Sequence, residues 1–215
     1  MPQLPRTIAI VGPDGSGKTT QAKLLVEHLQ AVGYDAQYVH ALYYISNTIP
    51  YADRLRRHLG PRKTRTQEPG DGVFYLLRRA LFGLVGFCFA LLTIGIVSIQ
   101  ARNKRQIVVF DRYYHQFLYD VYGSASIPLS RLLPQPWQMI YLDADFSTIQ
   151  TRMDTVDQAV DRQYYDTVIT LYDDCATPGW LSFRADLPIE TLHEQIFQAI
   201  QHRPGPNRLT TAPSS

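Results

Sequence analysis

Short apolar runs alternate along this chain with longer segments in which apolar residues recur every three or four positions. The apolar runs predict five buried strands, over residues 7–11, 36–43, 107–111, 139–143 and 181–185. The periodic segments predict helices over residues 18–32, 51–59, 73–101, 114–122, 147–153, 161–174 and 189–202. Because strands and helices alternate, we expect a parallel sheet covered on both faces. The predicted fold class is α/β, with three layers and a five-stranded parallel sheet.

One domain accounts for most of the chain. With 215 residues and a mass of 24.5 kDa, the chain is long enough for one well-buried α/β domain and short for two. We place that domain at residues 1–203. The last segment, residues 204–215, is rich in Pro, Gly, Ser and Thr, and this composition predicts a disordered tail.

The first predicted strand runs directly into a loop with the pattern G-x-x-x-x-G-K-[ST], followed by a helical segment. Its residues are Gly12, Pro13, Asp14, Gly15, Ser16, Gly17, Lys18 and Thr19, with Thr20 next in the helix. In this pattern glycines let backbone N–H groups surround phosphate oxygens, and the helix N-terminus faces the same anion. Lys18 then reaches the terminal phosphates, and Thr19 offers its hydroxyl to Mg²⁺. The loop therefore predicts a site for ATP and Mg²⁺ and a P-loop kinase fold.

A second chemical feature is the sequence Asp-Arg-Tyr at the end of the third predicted strand. Asp111 stands where the crevice of an open parallel sheet is expected, and Arg112 and Tyr113 follow it. A carboxylate there can hold Mg²⁺ directly or through water, and an arginine can bind phosphate. A salt-bridged strand end is the structural alternative.

These motifs, together with residues 141–145, resemble the thymidylate kinase family of nucleoside monophosphate kinases. The resemblance extends over most of the chain and implies ATP-dependent phosphoryl transfer to a nucleoside monophosphate or a similar small acceptor. It implies that Asp14 contacts the acceptor sugar and that Arg112 helps to hold the transferring phosphate. Tyr113 is the candidate acceptor residue of this motif: its ring, or that of Tyr114, could stack on a base, and packing with a polar handle is the structural alternative.

The family also has a lid over ATP, to which residues 152–162 are similar. Members with glycine at the position of Gly15 supply catalytic arginines from this lid, and Arg152 and Arg162 are the residues that match here. Two departures from the family pattern are visible. Residues 153–160 contain no arginine, and residues 66–70 resemble the family's Thr-Arg-Glu-Pro-Gly motif but lack its arginine.

Residues 80–99 contain no charged side chain, whereas two arginines precede them and Arg102, Lys104 and Arg105 follow. By length and polarity this segment qualifies as a membrane span. A single span, however, would separate two strands that we expect in one sheet. Two other interpretations stay open. The helix lies between the sheet and a partner subunit in a homodimer, or it rests on a membrane with its basic flanks facing anionic lipid.

These departures and the apolar helix leave two alternatives to a nucleotide kinase. One is a membrane-associated ATP-binding or ATPase switch or assembly subunit, and the other is a kinase for a sugar or lipid-linked acceptor. The net charge of +2 argues against a dedicated nucleic-acid binder. Cys88 and Cys175 fit no metal or disulfide spacing. The N-terminus has no apolar core of a signal peptide, so we expect a cytoplasmic protein, with membrane association as the alternative.

Overall fold

A computed structural model describes residues 6–41, 43–44, 73–123, 126–152 and 162–202. The predicted helix at 51–59, the lid residues 153–161 and the predicted tail at 204–215 lie outside the described residues.

Five parallel strands form one sheet in the order β2-β3-β1-β4-β5. They are β1 (Thr7–Val11), β2 (Ala36–His40), β3 (Ile107–Asp111), β4 (Gln138–Asp143) and β5 (Leu181–Arg184). The three central strands are buried along nearly their whole length, which explains why they read as continuous apolar runs. In the register of the sheet, Asp111 lies opposite both Ile10 and His40. The predicted five-stranded parallel sheet is confirmed.

Helices cover both faces of the sheet, as predicted. They are α1 (Lys18–Ala31), α2 (Val73–Lys104), α3 (Tyr114–Tyr122), α4 (Ser126–Ser130), α5 (Phe146–Arg152), α6 (Arg162–Cys175) and α7 (Ile189–His202). One hydrophobic cluster joins α1 and α7 to the sheet through side chains such as Leu25 and Ile196. A second cluster joins α2, α3 and α6 to the opposite face through side chains such as Leu118 and Tyr172. The strand order places β1, and the loop that follows it, between β3 and β4.

Two boundaries and one helix differ from the sequence prediction. Strand β2 ends at His40, three residues early, because the chain turns there and the Tyr43 N–H donates to the His40 carbonyl at 3.1 Å. Helix α2 continues three residues further, to Lys104, and is followed by Arg105 with φ of 54°. Helix α4 was not predicted. The remaining boundaries agree to within about one residue.

Helix α2 is apolar on two opposite faces. One face packs against the sheet through Ala90, Ile94, Val97 and Ala101. The other carries exposed side chains that we call the leucine stripe: Leu77, Leu81, Leu84, Leu91, Leu92, Ile96 and Ile99. By length and composition, the segment Gly83–Lys104 is apolar enough to cross a membrane, yet only 28% of its most apolar stretch is buried in the protein. The stripe is therefore exposed hydrophobic surface in the part of the chain that the structure describes.

His115 is a buried, neutral residue of helix α3. It is 2% exposed, and its ring lies 5.5 Å from the rings of both Tyr113 and Trp180. Burial lowers the pKa of His115 from 6.5 to about 4. The unfolded chain therefore takes up a proton at this residue before the folded chain does, and stability falls as the pH drops from about 6.5 toward 4.

We predict that His115→Phe makes the fold less sensitive to acid. Between pH 7 and pH 5 the wild-type protein should lose about 2 kcal/mol more unfolding free energy than this variant, because phenylalanine has no proton to take up. Urea unfolding at both pH values measures the difference. His202→Gln, at an exposed position of α7, is the matched control and should behave as wild type. Equal acid sensitivity of wild type and His115→Phe would contradict the assignment.

Candidate functional site

The loop between β1 and α1 adopts a backbone conformation that requires glycine. Gly12, Gly15 and Gly17 have φ values of 149°, 83° and 87°. A Cβ at Gly12 would lie 2.5 Å from the Leu142 carbonyl oxygen of β4, so no larger residue fits between the loop and the sheet. The motif therefore folds as a phosphate-binding loop at the N-terminus of α1, where the helix dipole and backbone N–H groups favour an anion.

Lys18, Asp14 and Arg112 form a charged cluster against this loop. Lys18 donates to the Pro13 carbonyl oxygen at 2.5 Å, and its Nζ lies 3.6 Å from Asp14 Oδ1. Arg112 Nη1 donates to the same Asp14 oxygen at 2.7 Å. Arg112 itself has φ of 69°, in the left-handed region that costs a non-glycine residue about 1–2 kcal/mol. The fold thus holds the arginine of the Asp-Arg-Tyr motif in a strained conformation next to the loop aspartate.

Burial and pairing set the charges in this cluster. Burial lowers the pKa of Lys18 to about 8, and Asp14 opposes that shift. Burial also opposes ionisation of Asp14, but the charges of Lys18 and Arg112 outweigh it and bring the pKa of Asp14 below its usual value. In the same way Asp14 overcomes the effect of burial and raises the pKa of Arg112. The cluster is therefore one carboxylate shared by two cations, which leaves positive charge for an incoming phosphate.

Asp111 is the buried end of β3, and two hydroxyl groups bind it. Its Oδ2 accepts a hydrogen bond from Thr19 Oγ1 at 2.7 Å and another from the Tyr38 hydroxyl at 2.6 Å. Burial, followed by the hydrogen bond to Asp111, raises the pKa of Tyr38. Asp111 Oδ1 is buried and has no hydrogen-bond partner among the described residues. The carboxylate therefore has one free oxygen beside the phosphate-binding loop.

The same loop forms one wall of a cleft of about 430 Å³. Its walls are formed by the loop and the start of α1, by Arg112, by Arg152 of α5, and by the segment that links β5 to α7 together with the start of α7. Arg152 is held in place because its Nη1 donates to the Ala185 carbonyl oxygen at 2.6 Å. The linking segment contributes the apolar side chain of Leu187, and α7 contributes those of Ile189 and Leu192. A polar phosphate end beside an apolar wall is the arrangement that a nucleotide requires.

Two predicted site residues are not brought to this cleft. Arg162 is exposed at the start of α6, where its Nε lies 3.9 Å from Asp166 and its guanidinium lies over the Phe146 ring. Tyr113 is 2% exposed, and its hydroxyl donates to the Pro134 carbonyl oxygen. Because Tyr113 packs in the core, it does not offer a free face for stacking on an acceptor base in this structure.

Sequence reasoning missed Tyr38 and Gln21. The Tyr38 hydroxyl meets Asp111, 73 positions away in sequence, only because β2 pairs with β3. Gln21 is 2% exposed in the first turns of α1, lines the cleft, and donates from Nε2 to the Ile189 carbonyl oxygen. Its position after Lys18, Thr19 and Thr20 is the only sequence signal for its place near the loop.

The residues present fit a magnesium ion. Mg²⁺ prefers oxygen ligands and is commonly held by one or two protein groups together with substrate phosphates. Thr19 Oγ1 and the free Asp111 Oδ1 are such oxygens, and burial of an unpaired carboxylate oxygen is costly unless a partner binds it. No cluster of three or more His, Cys, Asp or Glu residues suited to a metal occurs in the described part of the chain. The geometry therefore favours a cation held jointly with phosphates.

Comparison with known proteins adds the family context. A model of the thymidylate kinase family matches residues 10–196. Among solved structures, a thymidylate kinase from Candida albicans aligns with a TM-score of 0.63 and 16% sequence identity, over 92% of this chain and 92% of that chain. At that identity the likeness establishes the fold alone. No curated protein sequence matches the chain.

Proposed function

Because this chain belongs to the thymidylate kinase family, we propose that it transfers the γ-phosphoryl group of ATP to a nucleoside monophosphate or a similar small phosphate acceptor. The family match makes the chain a nucleotide kinase; the acceptor and the residue roles are our inference. The observation that carries the proposal is the hydrogen bond from Arg112 Nη1 to Asp14 Oδ1 at 2.7 Å. It joins the loop to the Asp-Arg-Tyr motif at the carboxyl edge of the sheet. A reaction that consumes ATP is consistent with a cytoplasmic location.

The donor phosphates bind in the loop. Lys18 donates to the Pro13 carbonyl and pairs with Asp14, and in our proposal it exchanges these partners for the terminal phosphates of ATP. Backbone N–H groups of the glycine-rich loop bind the remaining oxygens. The nucleoside lies along the cleft toward Arg152 and the apolar segment at Leu187. In this arrangement the residues from Gly12 to Thr20 bind the donor, ATP.

Thr19 and Asp111 hold the cation in our proposal, since the Thr19 hydroxyl lies 2.7 Å from Asp111 Oδ2 and Asp111 Oδ1 has no hydrogen-bond partner among the described residues. Mg²⁺, when bound, neutralises charge on the donor phosphates. The Thr19 hydroxyl can keep its hydrogen bond to Asp111, because an oxygen lone pair would bind the cation. Asp111 is completely buried at the end of β3.

Asp14, Arg112 and Arg152 serve the acceptor and the transferred group. The bond between the γ-phosphorus and its bridging oxygen breaks, and a bond to an acceptor phosphate oxygen forms, so ADP leaves with the electron pair. Little covalent chemistry is needed from the protein, and catalysis consists of positioning and charge stabilisation. Arg112 lies closest to Asp14, and Arg152 lines the same cleft. Arg162 joins them only if α6 moves toward the cleft.

A test of the acceptor compares ADP release by the full chain with ATP and Mg²⁺, alone and with each nucleoside monophosphate. We expect release that depends on one or a few monophosphates. Asp14→Ala should raise the KM for that acceptor, whereas Asp35→Ala, far from the loop along the chain, should not. ADP release at the same rate without any acceptor would contradict the proposal and indicate an ATPase.

We also propose that the leucine stripe pairs two copies of the chain. Its members lie along about 33 Å of helix, and most of them are three or four residues from the next, the spacing with which paired helices interdigitate. They are 38–63% exposed, although the opposite face of α2 is buried on the sheet. An exposed apolar surface that extends about 33 Å along a helix is typical of a protein–protein interface.

We expect sedimentation to give twice the chain mass of 24.5 kDa for the wild type. Leu84→Asp should give the single-chain mass, because an aspartate at the centre of the stripe would be buried without a partner. Leu132→Asp, at a position that is 70% exposed outside α2, is the control and should stay dimeric. A monomeric wild type that floats with anionic lipid vesicles would overturn the dimer in favour of a membrane contact.

A further inference from the structure

Only one of the two carboxylate oxygens of Asp111 accepts hydrogen bonds from the described residues. Both hydrogen bonds that it accepts, from Thr19 at 2.7 Å and from Tyr38 at 2.6 Å, go to Oδ2. Oδ1 has no hydrogen-bond partner among the described residues, although Asp111 is completely buried. A buried carboxylate oxygen without a donor is unfavourable unless a cation or another ligand binds it.

The two donors to Oδ2 are not equivalent. Thr19 lies in the phosphate-binding motif, and its hydroxyl can donate to Asp111 while an oxygen lone pair binds a cation. Tyr38 belongs to β2 and has no such second task. Tyr38 is therefore the donor to Oδ2 that lies outside the phosphate-binding motif.

We propose that Tyr38 is a positioning residue for the cation site: its hydroxyl holds Asp111 Oδ2 and keeps Oδ1 available to the cation, an inference that rests on the proposed function. Tyr38 acts through Asp111 and does not touch the nucleotide. Groups of this kind orient metal ligands, and their loss typically lowers metal affinity about 10–100-fold.

The sheet fixes the position of the Tyr38 hydroxyl. Tyr38 pairs with Val109 in the parallel register of β2 and β3, two residues before the end of each strand. Its ring packs against the hydrophobic cluster beneath α1, and Lys23 Nζ lies 6.0 Å from the ring centroid. A ring held by a strand and by a packed core keeps its hydroxyl in place when the nucleotide binds.

The test measures ADP binding to the full-length protein by calorimetry, once in excess EDTA and once in Mg²⁺. For the wild type, Mg²⁺ should strengthen ADP binding. For Tyr38→Phe we expect the same affinity in EDTA to within about twofold, and an enhancement by Mg²⁺ that is about tenfold smaller. Tyr122→Phe is the matched control, since it removes a hydroxyl that donates to the Ala80 carbonyl on the far side of α2; it should match the wild type.

Two results would overturn the role of Tyr38. One is an unchanged Mg²⁺ enhancement in Tyr38→Phe, and the other is an equal loss of affinity in EDTA and in Mg²⁺, which a general structural defect would produce. The assay involves no acceptor. A Tyr38-dependent Mg²⁺ effect in a protein that phosphorylates no acceptor would therefore count against the proposed function while supporting this inference.

Discussion

Replacing Lys18 with alanine is expected to reduce kcat for phosphoryl transfer by about 10²–10³-fold. Lys18 is the buried cation of the phosphate-binding loop, and its Nζ is already held near the phosphate position by the Pro13 carbonyl and by Asp14. Alanine removes the charge that should stabilise the negative charge on the transferred group. Steady-state kinetics with ATP and the best acceptor measures the loss.

The stability of the Lys18→Ala protein separates a chemical effect from unfolding. Burial lowers the pKa of Lys18, so the folded state gains little from carrying this charge in the absence of a phosphate. We therefore expect a Tm that is equal to or higher than that of the wild type. Lys104→Ala, at the exposed end of α2, should leave both kcat and Tm unchanged. Wild-type turnover by Lys18→Ala would show that this loop does not bind the reacting phosphates.

Replacing Arg112 with alanine is expected to lower kcat by a similar factor, about 10²–10³-fold, with a smaller change in ATP affinity. The fold holds this arginine in a left-handed backbone conformation and pairs it with Asp14, beside the loop that binds the donor. Because this backbone conformation is strained, we expect Arg112 to act where charge develops in the transition state. Steady-state rates over a range of ATP concentrations give kcat and the KM for ATP separately.

Arg112→Lys keeps the charge and removes the planar fork with which arginine binds two oxygens at once, so it should recover only part of the activity. Arg131→Ala, an exposed arginine outside the cleft, should behave as wild type. If Arg112→Ala raised the KM for ATP and left kcat intact, Arg112 would be a binding residue for the donor and have no role in the transition state.

The fold was largely predictable because its three central strands are buried on both faces. Strands such as β1 and β3 appear as short continuous apolar runs, and each is followed by a motif whose chemistry needs the end of a strand. The boundary errors have local causes. Helix α2 ends before Arg105, which takes a left-handed conformation normally marked by glycine. Helix α4 has five residues with Pro128 at its centre, and it is too short to show helical periodicity.

The site was predictable only in part. Local motifs gave the loop and the Asp-Arg pair, because their residues are neighbours in sequence. The bond from Tyr38 to Asp111 and the bond from Arg152 to Ala185 each depend on how separate elements meet across the sheet. Tyr113 stands beside Arg112 in the motif, yet it is buried, because the chain turns into α3 after the strained Arg112. Two residues that are neighbours in a sequence motif therefore need not both lie in the site.

The transfer itself is the most direct test of the proposed function. The full-length protein is incubated with Mg²⁺, ATP labelled in its γ-phosphate and a panel of nucleoside monophosphates, and the labelled products are separated. We predict that the label appears in a nucleoside diphosphate formed from one of the monophosphates, in amounts equal to the ADP produced. Label that appears only as inorganic phosphate, or stays in ATP with every acceptor, would contradict a nucleoside monophosphate kinase.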